Sequence, residues 1–335
     1  AAPAEAAAPV GAAAPSEASA AAEASAAAAT PPGGDLLVCG VPRGRRAPKL
    51  PPIVGDLVRI EWSPGARDAE ASIREVLPRR TALLRRHPTM PVKPQTLCAN
   101  LDVALLVVSV EPNFSEGMVD RVLVSTHAQG VDAAIVLNKA DLVPPGSRGR
   151  EEVDARLAAY ERVGYPVLRT SAVTGEGVAE LRSFLAGRMS ILIGNSGVGK
   201  SELLNCLGRG QIAARVGEIS ERLKLGRHTT TTSTLHRLPG EGQAALLVDS
   251  PGARRFSIWD VGAEELKDHF VEFLPYAGRC RFKDCSHLQE PGCAVREALE
   301  AGKIPQERFS SYAQIRRHLL AGREGLQVHS SQLLA

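Results

Sequence analysis

At 335 residues the chain has room for two or three domains of about 100–200 residues each. Its 44% hydrophobic content supports real cores, while a net charge of only +3 means that any nucleic-acid contact must come from local basic patches. No uncharged apolar run approaches the ~18 residues of a membrane span, so a soluble protein with no membrane partner is expected, and six cysteines are too few for a disulfide scaffold.

Residues 1–34 are dominated by alanine, with prolines at 3, 9 and 15 and the acidic Glu5, Glu17 and Glu23; with no apolar stripe to bury, they read as a disordered tail. The first basic residue is Arg43, which argues against a transit peptide. The chain begins without Met, which leaves open a targeting segment already removed or an artificial boundary. "DLLVCGV" (35–41), "VGDLVRIEW" (54–62) and "ASIREVLPRR" (71–80) read as strands joined by Gly/Pro turns, so 35–98 is expected to form a small β-barrel.

From 99 the texture changes. "NLDVALLVVSV" (100–110) is a near-continuous apolar run, as in a parallel strand buried on both faces. A helix ending at Gly130, a strand in 131–142, a helix near 150–163, a strand in 166–172 and a helix near 176–186 follow, and "MSILIG" leads into "GNSGVGKS" (194–201). Strands alternating with helices predict a doubly wound α/β domain over 99–261. Beyond it "AEELKDHFVEFLP", "AVREALEAGKI" and "SYAQIRRHLLAG" predict a mainly helical unit over 262–335.

The motif at 194–201 is a phosphate loop. Asn195, Ser196, Gly197, Val198 and Gly199 supply backbone N–H groups around the phosphates, Lys200 bridges the β- and γ-phosphates, and Ser201 ligates Mg2+. In "AALLVDSPG" (244–252), Asp249 is expected to hold Mg2+ through water and the Gly252 amide to sense the γ-phosphate. "GRHTTTTS" (226–233) suits a loop that orders around Mg2+ and γ-phosphate, with Thr230 the first choice of ligand, Thr229 and Thr231 left open, and a Thr-rich edge strand as the alternative. In "NKAD" (138–141), Asp141 can accept hydrogen bonds from the N1–H and exocyclic amine that guanine has and adenine lacks; Asn138 and the Lys139 stem complete the cradle. "TSAVTG" (170–175) adds a second base loop through Ser171 and Ala172.

The order is therefore base, base, phosphate, switch, Mg2+, a circularly permuted GTPase. Permutation is tolerable because domain termini tend to lie close together. The chain then runs from the second switch straight into the C-terminal unit, so a γ-phosphate-dependent movement can pull on a neighbouring domain. Ala253 stands where many GTPases place a water-orienting glutamine, leaving His228 as the nearest polar candidate to orient or deprotonate water; a solvent-exposed loop histidine is the alternative. Slow intrinsic hydrolysis, accelerated by a partner, is expected.

"CRFKDCSHLQEPGC" places Cys280, Cys285, His287 and Cys293 within fourteen residues, a closed tetrahedral set for one structural Zn2+. Cys39, Cys98 and Cys206 sit in apolar stretches and read as core residues. Arg43, Arg45, Arg46, Arg79, Arg80, Arg85, Arg86 and His87 cluster on the barrel and its exit, where they are expected to track phosphates; a solvated charged face is the bland alternative. Arg316, Arg317 and His318 offer a second contact.

The permuted set "NKAD", "SA", "GNSGVGKS", "GRHTTTT" and "DSPG", followed by "CRFKDCSHLQEPGCAV", resembles the ribosome-small-subunit-dependent GTPase family called RsgA or YjeQ, over roughly residues 35–320. The resemblance implies an N-terminal OB-fold, a permuted GTPase domain and a helical zinc domain. It also implies a late checkpoint in small-subunit maturation, with GTP hydrolysed to GDP on contact with 16S-type rRNA, and it favours a histidine beside the switch threonines, His228, in hydrolysis. Family barrels begin with another strand where the alanine-rich tail stands here, so a shortened barrel is expected. A monomer in the bacterial cytoplasm or an organelle stroma follows. A large-subunit assembly GTPase and an RNA-binding scaffold holding GTP as a ligand are the competing readings.

Overall fold

The computed structural model describes residues 39–41, 48–62, 71–86, 94–210, 233–239, 244–250 and 261–323. The alanine-rich tail, Arg43, Arg45, Arg46 and His87 lie outside them. Two compact units emerge, Ala1–Ala47 with Ile60–Arg74, and Pro48–Arg59 with Glu75–Ala335. β1 (Cys39–Gly40) runs parallel to the start of β3 (Ala71–Val76), pairing Cys39 with Ala71 and Gly40 with Ser72 within the first unit; β2 (Val58–Trp62) completes a sheet of order β1-β3-β2, and β2 and β3 each have residues in both units.

The second unit opens with an antiparallel pair, β4 (Ala82–Arg86) and β5 (Pro94–Ala99), where the sequence displays mainly its basic residues. Two of these turn inward, a correction to their reading as phosphate contacts. Arg79 donates twice to Asp56, at 2.7 and 2.9 Å, and the buried Arg85 donates to Gln95 at 2.8 Å.

The centre is a six-stranded sheet in the order β10-β11-β9-β6-β7-β8. Its strands are β6 (Val103–Ser109), β7 (Asp132–Asn138), β8 (Val167–Arg169), β9 (Met189–Ile193), β10 (Thr234–Arg237) and β11 (Leu246–Asp249). All neighbours pair in parallel except β10, which is antiparallel to β11. The unbroken apolar run of β6 divides by alternation. Ala104, Leu106 and Val108 enter one core with α1 (Glu116–Ala128) and α2 (Arg148–Arg162), while Val103, Leu105 and Val107 enter the other with α3 (Val178–Leu185) and α4 (Lys200–Leu207). This is the doubly wound layering that alternating strands and helices predict. Strand β8 is shorter than its apolar run, and Thr170 and Ser171 continue it as buried loop.

The C-terminal region has its own core of Phe270, Phe273, Val295, Ile304, Tyr312 and Ile315, which also takes in Val124 of α1. Its pattern over 263–275 predicts one helix, but the chain forms a 3-10 turn (Leu266–His269) and then a short α5 (Leu274–Ala277). Pro275 explains the restart: without an N–H it suits the first turn of a new helix and not the interior of a long one. Helices α6 (Ala294–Glu300) and α7 (Gln306–Arg323) follow.

A buried ion cluster fastens this region to helix α1, which packs on the central sheet. Arg308 of α7, 1% exposed, donates to Glu272 at 2.6 Å and to Asp120 of α1, with its guanidinium 4.7 Å from the Phe270 ring. Burial pushes the Asp120 carboxyl above its ordinary value against the opposing pull of Arg308. Replacing Arg308 by methionine strands two buried carboxylates and should cost about 3–5 kcal/mol of stability in urea unfolding. The exposed pair Arg148–Glu152 is the control, and Arg148→Ala should leave the unfolding midpoint in place.

Candidate nucleotide and metal sites

The ligand-bearing residues gather along one edge of the sheet, at the C-terminal ends of its parallel strands. Asn138 ends β7, Thr170 and Ser171 follow β8, Gly194 follows β9 and Asp249 ends β11. This is where open α/β sheets bind ligands.

The phosphate loop leaves β9, whose five residues are all buried, and enters α4 at Lys200. Asn195, Ser196, Gly197 and Ser201 are exposed, whereas Val198 and Gly199 are buried. Lys200 arches over the loop and donates to the carbonyls of Gly194 at 2.7 Å and Asn195 at 2.6 Å. Gly199 has φ +89°, and a Cβ there would lie 2.2 Å from Asn138 Nδ2. The glycine is required because the base loop is seated against it.

Asn138 is 1% exposed and works at both ends. Its Nδ2 donates to the Val198 carbonyl at 2.9 Å, while its Oδ1 accepts from the Thr170 hydroxyl and the Ala172 amide, each at 3.3 Å. Lys139 takes a left-handed conformation (φ +59°) and its Nζ donates to the Glu111 carbonyl at 2.8 Å. Ser171, fully buried, accepts from the Thr174 amide at 3.1 Å and shapes the second loop. Asp141 Oδ1 is buried and has no hydrogen-bond partner. A buried carboxylate oxygen without a donor costs about 1–3 kcal/mol or more, so this atom asks for one from outside the protein.

Asp249 lies half-buried at the end of β11, paired in register with Thr234. Ser201, exposed at the start of α4, and Asp249 offer hard oxygen atoms of the kind Mg2+ takes. His228, the threonines Thr229, Thr230 and Thr231, and Gly252 lie outside the described residues.

In the C-terminal region the four predicted ligands converge: the donor atoms of Cys280, Cys285, His287 and Cys293 lie within 4.8 Å of one another. His287 Nδ1 stands 3.5 Å from Cys280 Sγ and 3.4 Å from Cys293 Sγ. A tetrahedral zinc with Zn–S of about 2.3 Å and Zn–N of about 2.0 Å sets neighbouring ligand atoms roughly 3.5 Å apart, so these residues fit that metal. Burial pushes the Cys285 thiol up to about 12 and lowers the His287 imidazole. Without a cation the Cys285 thiol would therefore keep its proton while His287 stays neutral; a bound Zn2+ makes the thiolate favourable. Backbone amides support them, His287 N–H at 3.4 Å from Cys285 Sγ and Arg296 N–H at 3.5 Å from Cys293 Sγ.

Glu290 is a residue the motif alone does not reveal. Its carboxylate accepts from the Ser286 amide at 2.8 Å, the Ser286 hydroxyl at 2.6 Å and the Leu288 and Gln289 amides at 3.1 Å each. It thus ties down the loop between Cys285 and Cys293. The sequence signal is a carboxylate one to four residues after a run of free amides, which is too common to select. Burial alone would raise its pKa, but the Ser286 bonds lead a set that holds it at about 2 against an ordinary 4.5. Its contribution is complete above about pH 4.5 and lost as pH falls toward 2, so at neutral pH a Glu290→Gln variant shows the full cost. That variant should surrender zinc to a chelator faster than the parent, read by a colorimetric zinc indicator, and Cys285→Ser should retain none.

A mainly parallel sheet with a phosphate loop on its fourth strand in chain order and base loops on the two strands before it defines a circularly permuted GTPase, a GTP-hydrolysing enzyme. The family model described as RsgA GTPase matches residues 76–259, and the chain belongs to that family. Proteins named "Small ribosomal subunit biogenesis GTPase RsgA" are 41% identical over 268 residues in Yersinia enterocolitica (78% of this chain, 74% of the relative) and 41% over 273 residues in Azotobacter vinelandii (81% and 75%). Among solved structures, YjeQ from Thermotoga maritima is similar with TM-score 0.66 and 32% identity, covering 86% of this chain and 91% of its own. YloQ, titled a circularly permuted GTPase, gives TM-score 0.63 and 27% identity, covering 85% and 86%. No helix among the described residues is long and apolar enough to cross a membrane.

Proposed function

We propose that this enzyme is a checkpoint in small-ribosomal-subunit assembly, hydrolysing GTP when it meets rRNA on the subunit and then dissociating. The names of its relatives support the partner. The nucleotide reading is carried by one observation: a donorless buried oxygen on Asp141, one turn from an Asn138 already bonded to the phosphate loop. Guanine presents two donors, N1–H and the 2-amino group, where adenine presents a lone pair at N1 and no 2-amino group.

In this reading the amides of Asn195–Gly199 cradle the phosphates and Lys200 moves from the Gly194 and Asn195 carbonyls to the β- and γ-phosphate oxygens. Ser171 and Ala172 border the base. Ser201, Thr230 and Asp249 would hold Mg2+, which neutralises charge developing on the phosphates. The Gly252 amide reports the γ-phosphate, and His228 orients or deprotonates water once rRNA places it. Residues 35–98 belong to an OB-type barrel that approaches RNA, and 262–335 form a zinc-bearing helical domain. The enzyme acts as a monomer in a bacterial cytoplasm or organelle stroma.

Two measurements test this. GTP turnover should rise about a hundredfold or more with purified small subunits and stay basal with large ones, an increase within reach of an activating partner. Stimulation by large subunits would point to the other assembly pathway, and no stimulation by either would leave a GTP-holding scaffold. Separately, Asp141→Asn replaces an acceptor by a donor facing the base. It should weaken GTP binding by about a hundredfold or more and favour xanthosine triphosphate, whose C2 carbonyl accepts.

A further inference from the structure

Strand β10 is the antiparallel edge of the sheet, and its ladder with β11 ends at the pair Thr234–Asp249. The next residue out on each strand is a serine, and the two hydroxyls are bonded: Ser233 Oγ donates to Ser250 Oγ at 2.8 Å. Ser250 is 4% exposed, so this contact is shielded from competing water. The residue after Ser250 is Pro251, which has no N–H and cannot extend a backbone ladder. At the end of the hairpin where the strands would begin to splay, a side-chain bond therefore takes over from backbone bonds.

What the bond holds is Asp249. Its backbone is fixed on one side by Thr234, and Val248 before it is paired with Ile191 of β9, the strand that delivers the phosphate loop. Beyond Asp249 the described closure of the hairpin is the hydroxyl pair. We propose that Ser233 and Ser250 are positioning residues that fix Asp249 toward the cation accompanying the nucleotide, acting as one unit and touching neither nucleotide nor metal themselves. The proposal rests on the guanine-nucleotide reading above and extends it to two serines, Ser250 of "DSPG" and Ser233 at the end of the threonine run, to which the motifs themselves assign no role.

The test is binding of a fluorescent non-hydrolysable GTP analogue, in EDTA and across a Mg2+ titration, to the full chain and to Ser250→Ala, Ser233→Ala, the double variant and Ser250→Thr. In EDTA all five should bind alike, because the phosphate loop and base loops are untouched. With Mg2+ the parent tightens. Each alanine variant should tighten about fivefold less, the scale of one net hydroxyl hydrogen bond, and need correspondingly more Mg2+ to reach half-effect. The double variant should be no worse than either single one, and Ser250→Thr, which keeps the hydroxyl, should restore most of the loss. Equal tightening in every variant overturns the proposal, as do independent, additive losses from the two serines. A loss already present in EDTA overturns it too, since that would mark general damage to the hairpin. The parent's own arm keeps the two readings apart: failure of the parent to bind the analogue in EDTA, or equal binding of an adenine analogue, sinks the guanine-nucleotide reading and says nothing about the clamp.

Discussion

The carboxamide of Asn138 is the constraint on which the site depends. A permuted chain builds its two base loops before it builds its phosphate loop, and the three belong to different strand ends with no shared segment to align them. Asn138 does the aligning, donating to Val198 and accepting from Thr170 and Ala172, at 1% exposure. Buried amides of this kind are costly unless satisfied and specific when they are. The glycine at 199 is the counterpart of the same contact, since any side chain there would drive the two loops apart. The sequence reading gives Asn138 to the base; the geometry gives it first to the phosphate loop.

A second chain of contacts starts from the same place and ends in the zinc-ligand region. Lys139 holds the Glu111 carbonyl, and Arg156 gathers the following turn through Asn113 at 2.7 Å, the Phe114 carbonyl at 2.6 Å and Glu116 at 2.5 Å. Helix α1 begins at that turn and presents Asp120 to Arg308. The C-terminal region is therefore fastened to α1, the helix between β6 and β7, in addition to its covalent link after β11. Any pull transmitted along the chain from 250 onward acts on a body already anchored by a buried arginine, so the movement it can produce is limited to what that anchor permits.

Much of this was legible in the sequence, for physical reasons that differ by element. The parallel strands read clearly because burial on both faces leaves no polar alternation, as at 103–109 and 189–193. The "GNSGVGKS", "NKAD" and Cys/His motifs stand out because each chemistry needs fixed residue types at fixed spacing, and the four Cys/His donors do converge. What did not read was whatever depends on partners distant in the chain. The inward turn of Arg79 requires Asp56, the anchor at Arg308 requires Asp120 and Glu272, and the Ser233–Ser250 bond requires a register that only the folded hairpin supplies. The helix expected over 263–275 failed for a local reason, Pro275, whose position favours a fresh start. Strand β4 hid behind its arginines, since an inward-facing Arg breaks the alternation that marks a strand.

The direction of β10 carries a final consequence. Every parallel strand of the sheet delivers its C-terminal end to the ligand edge, so a segment that enters the sheet there must do so at the start of a strand running the other way. Strand β10 does this, and its antiparallel pairing brings Ser233, at its N-terminal end, beside the C-terminal end of β11. A parallel strand in that position would begin at the far side of the sheet, about 13 Å away for four residues. Ser233 and Ser250 thereby meet at one point. Permutation rearranges which loops come first; the antiparallel return is what sets Ser233 beside Ser250 at the ligand edge of the sheet.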